Sequence, residues 1–284
     1  MTDALARLRA RRSLVGSPLC LGVDPNPDQL PEGLSPDVDG IESFARGLIE
    51  AVGPHVCAVK INVAFFEALG SAGWAALERV RADVPRDLVC ILDAKRGDIG
   101  PTAERYAESL FGRLDADGVT LSPYLGEDAV EPFLDRGGRL VYLLARTSNP
   151  SAGRIQSLVA DSEPIHLHVA RWAAARWPDG RVGLVVGATA PGELDSVRSA
   201  VPGPGFLVPG VGTQGGDLAA AARGADGAWA PGLVSVSRAI AGASTGPDWA
   251  QAAMASAKGL AGRLADAVLD SKASPAHAGD SGGP

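Results

Sequence analysis

The stretch Leu88–Leu114 reads LVCILDAKRGDIGPTAERYAESLFGRL and contains a strand, a polar loop and a helix in succession. Its first five residues, Leu88–Leu92, are all apolar, which is typical of a strand buried on both faces of a parallel sheet. From Thr102 onward, apolar residues recur at helical spacing. A strand followed by such a helix forms one βα unit, so the stretch predicts a parallel sheet covered by helices.

The same alternation recurs along the chain. Eight short runs have strand character: Leu19–Val23, His55–Ile61, Leu88–Leu92, Gly118–Ser122, Leu140–Leu144, Val182–Val186, Gly205–Val208 and Leu233–Val236. Helix-like segments lie between most of them: Gly40–Val52, Ser71–Ala82, Thr102–Leu114, Ile165–Arg176 and Gly216–Arg223. Eight such units predict an α/β protein with a single closed (β/α)8 TIM barrel. An open, doubly wound sheet is the alternative, but no G-x-G-x-x-G pattern follows the first strand.

The length of 284 residues fits one large domain or two small ones, and a single barrel is the simpler interpretation. We predict that residues 1–270 form the barrel. Residues 271–284 consist mainly of Ser, Ala, Gly and Pro with little apolar content, which predicts a disordered tail.

Composition excludes several classes of protein. The net charge of -7 argues against broad binding to nucleic acid, because binders of the phosphate backbone usually carry a basic patch. No apolar run reaches membrane-spanning length, and the N-terminal segment lacks the apolar core of a secretory signal. The three cysteines are widely spaced, as expected for core residues in a reducing compartment. We therefore predict a cytoplasmic protein.

Polar residues collect where catalytic groups lie in such a barrel, at the carboxyl ends of the strands. The candidates are Asp24, Lys60, Asp93, Lys95, Asp98, Ser148, Gln214, Ser237 and Arg238. Lys60 interrupts an apolar run, where an unpaired ammonium would be costly, so it requires a carboxylate partner. Asp93 and Lys95 are two residues apart on a strand and therefore point to the same side.

Structural interpretations of these residues also exist. Asp24 precedes a proline and could simply form a turn, and Asp93 with Lys95 could be a structural ion pair. However, three acids and two lysines on three adjacent strands exceed what packing requires, so the pattern favours catalysis.

The glycine-rich loop Pro209–Gly216 reads PGVGTQGG and precedes Arg238. Barrels often bind phosphate with backbone N–H groups after strands seven and eight, and an arginine can grip the phosphate with two donors. The loop, Gln214 and Arg238 therefore predict a phosphate site, the alternative being a flexible loop with a solvated arginine. His166 and His168 lie two apart in a helical segment and do not face each other, so we expect packing or surface roles and no metal site.

Together these motifs resemble the orotidine 5'-phosphate decarboxylase family, from about Leu19 to Arg238. The D-x-K-x-x-D-I-x-x-T pattern is filled by Asp93, Lys95, Asp98, Ile99 and Thr102. The sequence RTSNP at Arg146–Pro150 and the loop Pro209–Gly216 resemble the longer-chained branch of the family.

The resemblance implies a carboxy-lyase that converts orotidine 5'-phosphate to UMP and CO2 without a cofactor, the last step of pyrimidine (UMP) biosynthesis. It assigns Lys60, Asp93, Lys95 and Asp98 to a catalytic array of alternating charge. Asp24 and Lys60 would contact the ribose, Ser148 the pyrimidine, and Gln214, Ser237 and Arg238 the phosphate, although many relatives have glycine in place of Ser237. Asp98 and Thr102 would enter the neighbouring subunit's site, which implies a homodimer with shared active sites.

The motifs are also compatible with two other functions. A Mg2+-dependent sugar-phosphate decarboxylase or aldolase of the same suprafamily would share the D-x-K-x-x-D pattern. Lys60 and Ser148 favour a pyrimidine nucleotide over a sugar phosphate. A non-catalytic barrel that binds a phosphorylated ligand would keep Gln214 and Arg238, but it would not need Lys60 and Lys95.

Overall fold

A computed structural model describes residues 3–189, 191–211 and 217–273 of the chain. Eight parallel strands close into a barrel in the order β1-β10-β9-β8-β5-β4-β3-β2. Their bounds are β1 Leu19–Val23, β2 Ala58–Asn62, β3 Val89–Arg96, β4 Gly118–Leu121, β5 Leu140–Arg146, β8 Val182–Val186, β9 Phe206–Val208 and β10 Leu233–Val236. Because β1 pairs with both β2 and β10, the predicted closed barrel is confirmed and the open sheet is wrong. The short strands β6 Val159–Ala160 and β7 Glu163–Pro164 form a separate antiparallel hairpin.

Helices surround the barrel and follow most of its strands. The described α-helices are α1 Ala4–Val15, α2 Val38–Val52, α3 Ala64–Glu67, α4 Gly70–Asp83, α5 Gly100–Ala107, α6 Glu131–Leu134, α7 Gly153–Gln156, α8 Ile165–Arg176, α9 Pro191–Ala200, α10 Leu218–Ala225, α11 Arg238–Ala241 and α12 Trp249–Ala273. A π-helical segment, Glu108–Arg113, continues α5. The predicted tail boundary at residue 271 falls within α12, and residues 274–284 lie outside the described part of the chain.

Side-chain alternation along the strands separates two apolar cores. In β3, Cys90 and Leu92 pack outward against the helices, whereas Val89 and Ile91 pack inside the barrel. Leu5 and Leu8 of α1 join the inner core and close the barrel at the amino ends of its strands. Residues that continue the inward alternation past Ile91 therefore enter the barrel at its open, carboxyl end.

The three cysteines are buried and unpaired, as the sequence predicted. Burial raises the pKa of the Cys57 and Cys90 thiols to about 12, and it raises the pKa of Cys20 well above its usual value. These side chains therefore remain neutral thiols and act as small core residues. Among the described residues, no helix is long and apolar enough to span a membrane.

Candidate active site

Asp93 lies between two lysine ammonium groups at the carboxyl end of the barrel. Lys60 Nζ is 2.8 Å from Asp93 Oδ2, and Lys95 Nζ is 2.6 Å from Asp93 Oδ1. The pairing register places Asn62 of β2 beside Asp93, so Lys60 enters the barrel from the adjacent strand. The predicted carboxylate partner of Lys60 is thus confirmed, as is the common orientation of Asp93 and Lys95.

Electrostatics fix the charges of the buried pair. Burial alone would raise the pKa of Asp93, but the ammonium groups of Lys60 and Lys95 outweigh it and hold that pKa well below its usual range. Burial would likewise lower the pKa of Lys60, which is 6% exposed, but Asp93 and Asp24 raise it. Asp93 is therefore a carboxylate and Lys60 an ammonium at neutral pH. Lys95 differs from Lys60 in that about half of its side chain (49%) is exposed.

The backbone at Lys95 departs from regular strand geometry. Its φ angle is 47°, in the left-handed region that residues with a β-carbon rarely adopt. The β3–β4 pairing also shifts register between Leu92 and Arg96, as it does at a β-bulge. A non-glycine residue in this conformation costs about 1 to 3 kcal/mol, and such positions cluster at functional sites.

Thr120 is a site residue that the sequence analysis missed. It is buried on β4, and its hydroxyl donates a hydrogen bond to Asp93 Oδ1 (2.8 Å) and accepts one from the Lys95 backbone N–H (3.0 Å). A signal was present, because Thr120 is a polar residue inside the buried strand Gly118–Leu121.

A cleft beside this cluster is lined by Asp24, Lys60, Pro209, Gly210, Val211, Ser235, Ser237 and Arg238. It therefore brings together four of the predicted site residues: Asp24 directly after β1, Lys60 on β2, and Ser237 and Arg238 after β10. Asp24 Oδ1 is 3.9 Å from Lys60 Nζ, and no donor of the described residues forms a hydrogen bond with this buried oxygen. Gly22 leaves no room for a side chain here, since a β-carbon would lie 2.8 Å from Ser237 Cβ. Gln214 lies outside the described residues.

Ser148 follows β5 in a loop that is held by hydrogen bonds between Thr147 and Gln156. The Thr147 backbone N–H donates to Gln156 Oε1 (2.9 Å), and Gln156 Nε2 donates to Thr147 Oγ1 (2.9 Å). A β-carbon at Gly187 would lie 2.9 Å from Ser148 Cβ, so the chain directly after β8 passes close to the loop. Ser148 is half-buried at the same end of the barrel as Asp93.

Asp98 and Thr102 do not join the cluster within their own subunit. Asp98 Oδ1 accepts a hydrogen bond from the Ile99 backbone N–H (2.8 Å), and Thr102 is exposed in the first turn of α5. Across the described residues, no ion pair links Asp98 to Lys60 or Lys95. Within one chain, three of the four predicted members of the charge array are therefore in contact, since Lys60 and Lys95 both pair with Asp93 and Asp98 lies apart.

His166 and His168 each lie within hydrogen-bonding distance of a backbone carbonyl oxygen. His166 is buried with Nδ1 2.8 Å from the Gln156 carbonyl oxygen, and His168 Nε2 is 2.7 Å from the Ala160 carbonyl oxygen. In the part of the chain that the structure describes, no group of three or more His, Cys, Asp or Glu side chains is arranged to hold a metal ion.

Comparisons with known proteins agree on one family. The model of the orotidine 5'-phosphate decarboxylase / HUMPS family matches residues 17–253. A relative from Roseiflexus castenholzii named orotidine 5'-phosphate decarboxylase is 50% identical over 247 residues, which is 86% of this chain and 90% of the relative. One of the same name from Herpetosiphon aurantiacus is 45% identical over 255 residues, 88% of this chain and 93% of the relative. The solved OMP decarboxylase of Leishmania donovani superposes with a TM-score of 0.82 at 34% identity, covering 94% of this chain and 99% of that one. The matched region includes every barrel strand and every candidate site residue.

Proposed function

The chain belongs to the orotidine 5'-phosphate decarboxylase / HUMPS family, and we propose that its barrel mouth converts orotidine 5'-phosphate to UMP and CO2 without a cofactor. This is the last step of UMP biosynthesis. The observation that carries the proposal is the Asp93 carboxylate held between the ammonium groups of Lys60 and Lys95.

The chemistry needs such an arrangement. Loss of CO2 from C6 of the pyrimidine leaves an electron pair in the plane of the ring, where the ring π system cannot delocalise it. The protein must therefore stabilise the charge electrostatically. Asp93 is ionised and disfavours the substrate carboxylate, whereas Lys95 stabilises the charge that develops at C6 and then donates its proton there. Lys60 neutralises Asp93 from the other side and keeps it in place.

The cleft beside the charges suits the rest of the substrate. Asp24 Oδ1 is a buried acceptor with no donor among the described residues, so a ribose hydroxyl could supply the missing hydrogen bond. Arg238 is exposed at the start of α11 on the same cleft and can grip the phosphate, with Ser237 beside it. Ser148 would contact the pyrimidine ring, and Gln214 would add a neutral donor to the phosphate.

We propose that the active enzyme is a homodimer with shared sites. Ile99, between Asp98 and Thr102 in the chain, is an exposed apolar residue, and Tyr124 (87% exposed) and Leu125 are exposed apolar residues of the loop after β4. The two loops that carry them are adjacent, because the Ser122 backbone N–H donates to the Arg96 carbonyl oxygen. An exposed apolar patch of this kind favours an interface, and a second copy seated there would bring its Asp98 and Thr102 to this barrel. We expect this dimer to act in the cytoplasm and, given its net charge of -7, not to bind nucleic acid.

An absorbance assay with purified protein tests the proposed function. Any bound metal is first removed from the purified protein. We then expect it to consume orotidine 5'-phosphate and form UMP at the same rate with and without EDTA in the assay. No step of the proposed mechanism uses a metal ion. A rate that falls with chelator and returns with Mg2+ would favour the sugar-phosphate branch of the family, and binding of the nucleotide with no turnover would favour a non-catalytic barrel.

The phosphate assignment predicts the effect of Arg238→Ala. Loss of a charged, two-donor contact should raise KM for orotidine 5'-phosphate by about 10- to 100-fold, because a hydrogen bond to a charged group contributes roughly 1.5 to 3 kcal/mol. Steady-state kinetics measure the change. Arg263→Ala is the matched control, since Arg263 is an exposed arginine on α12 away from the cleft. An unchanged KM in Arg238→Ala would refute the phosphate role.

A further inference from the structure

We propose that Thr120 is a positioning residue for decarboxylation, whose hydroxyl holds the Asp93 carboxylate and the Lys95 backbone in their reactive arrangement. The inference rests on the proposed function, and it adds a residue that lies outside the D-x-K-x-x-D pattern.

The Thr120 hydroxyl is placed to hold both residues at once. It donates its single proton to Asp93 Oδ1 (2.8 Å), which leaves its lone pairs for the Lys95 backbone N–H (3.0 Å). Thr120 is buried inside the barrel on β4, so its side chain has little freedom to leave these partners. One hydroxyl therefore connects the carboxylate to the main chain of the lysine that follows it.

This connection matters because the backbone at Lys95 is irregular. Where β3 and β4 lose their regular register, between Leu92 and Arg96, the Lys95 N–H bonds to the Thr120 side chain. A buried backbone N–H without a partner is costly, and the left-handed conformation of Lys95 is unfavourable by itself. The hydroxyl satisfies this donor and so helps keep the lysine in a conformation that the isolated chain would avoid.

The same hydroxyl fixes the geometry of the charges. Asp93 Oδ1 receives both the Thr120 hydroxyl and Lys95 Nζ, whereas Oδ2 receives Lys60 Nζ. Thr120 thereby restrains the rotation of the carboxylate and the position at which the half-exposed Lys95 ammonium meets it. A displacement of about 1 Å in such an array can reduce a rate by about 100-fold.

A pair of substitutions at this position tests the proposal. Thr120→Val keeps the shape and removes the hydroxyl, whereas Thr120→Ser keeps the hydroxyl and removes a methyl group. We expect kcat for orotidine 5'-phosphate to fall about 10- to 100-fold in Thr120→Val, as for a lost hydrogen bond to a charged group. We expect Thr120→Ser to stay within about threefold of the unmodified enzyme, and both variants to bind UMP with nearly unchanged Kd.

The UMP measurement separates positioning from general damage to the fold, and thermal unfolding shows whether each variant is folded. The proposal is overturned if folded Thr120→Val keeps its kcat, if Thr120→Ser is as impaired as Thr120→Val, or if UMP affinity falls in parallel with kcat. A failure to decarboxylate by the unmodified enzyme would instead refute the proposed function and, with it, this inference.

Discussion

Replacement of Lys95 with alanine is expected to reduce kcat for orotidine 5'-phosphate by about 10⁴-fold or more, because one side chain supplies both the proton and the positive charge at C6. The fold should survive the change. The Lys95 side chain is half exposed, and Asp93 retains its ion pair with Lys60 at 2.8 Å. The affinity for UMP should remain within about tenfold, since the cleft residues proposed to bind ribose and phosphate are untouched.

The measurement is the rate of CO2 release together with the Kd for UMP from calorimetry. Lys258→Ala is the matched control, because Lys258 is an exposed lysine on α12. If Lys95→Ala kept near-normal decarboxylation in a preparation free of host enzyme, the proposed chemistry would be wrong. The fall in kcat expected for Lys95→Ala differs from the effect expected for Arg238→Ala, which should raise KM.

Mixed dimers of Lys95→Ala and Asp98→Ala subunits are expected to regain activity that neither variant has alone. In a mixed dimer, the barrel of the Asp98→Ala subunit keeps its own Lys95 and receives Asp98 from its partner, so one of the two sites is complete. The purified mixed dimer should therefore have about half of the normal activity, and an unseparated random mixture, in which half of the dimers are mixed, about one quarter. Co-expression of differently tagged subunits and two-step purification provide the mixed dimer for assay.

The control for this experiment is a mixed dimer of Lys60→Ala and Lys95→Ala subunits. Lys60 and Lys95 contact the same Asp93 of their own chain, so each site of this dimer would lack one lysine and activity should not return. If the Lys95→Ala and Asp98→Ala mixture is equally inactive, Asp98 does not cross the interface.

The sequence predicted the barrel well because parallel strands buried on both faces are continuous apolar runs. It was less accurate at the ends of elements. β2 begins at Ala58, not at His55, because Gly53–His55 forms a 3₁₀ turn that contains Pro54. α5 begins at Gly100, not at Thr102, because Pro101 is acceptable in the first turn of a helix, where its missing N–H is not needed.

The charged cluster was predictable for a similar reason. Lys60 and Asp93 are polar residues in or directly after apolar strands, where an unpaired charge would be costly. Thr120 was missed because threonine is common in strands, so its presence in one does not by itself indicate a functional role. Neither the left-handed backbone of Lys95 nor the shifted register beside it could be predicted, because both depend on how β3 meets β4.

Conversion of orotidine 5'-phosphate in D2O, followed by NMR of the product, tests whether Lys95 protonates C6 after CO2 has left. Because Lys95 exchanges its ammonium protons with the solvent, each substrate consumed should yield one CO2 and one UMP with deuterium at C6. The Lys95→Ala enzyme should form almost none of this product under the same conditions. Three results would rule out this mechanism: release of free orotate, substrate left unconsumed by the unmodified enzyme, or an equal yield of deuterated UMP from Lys95→Ala.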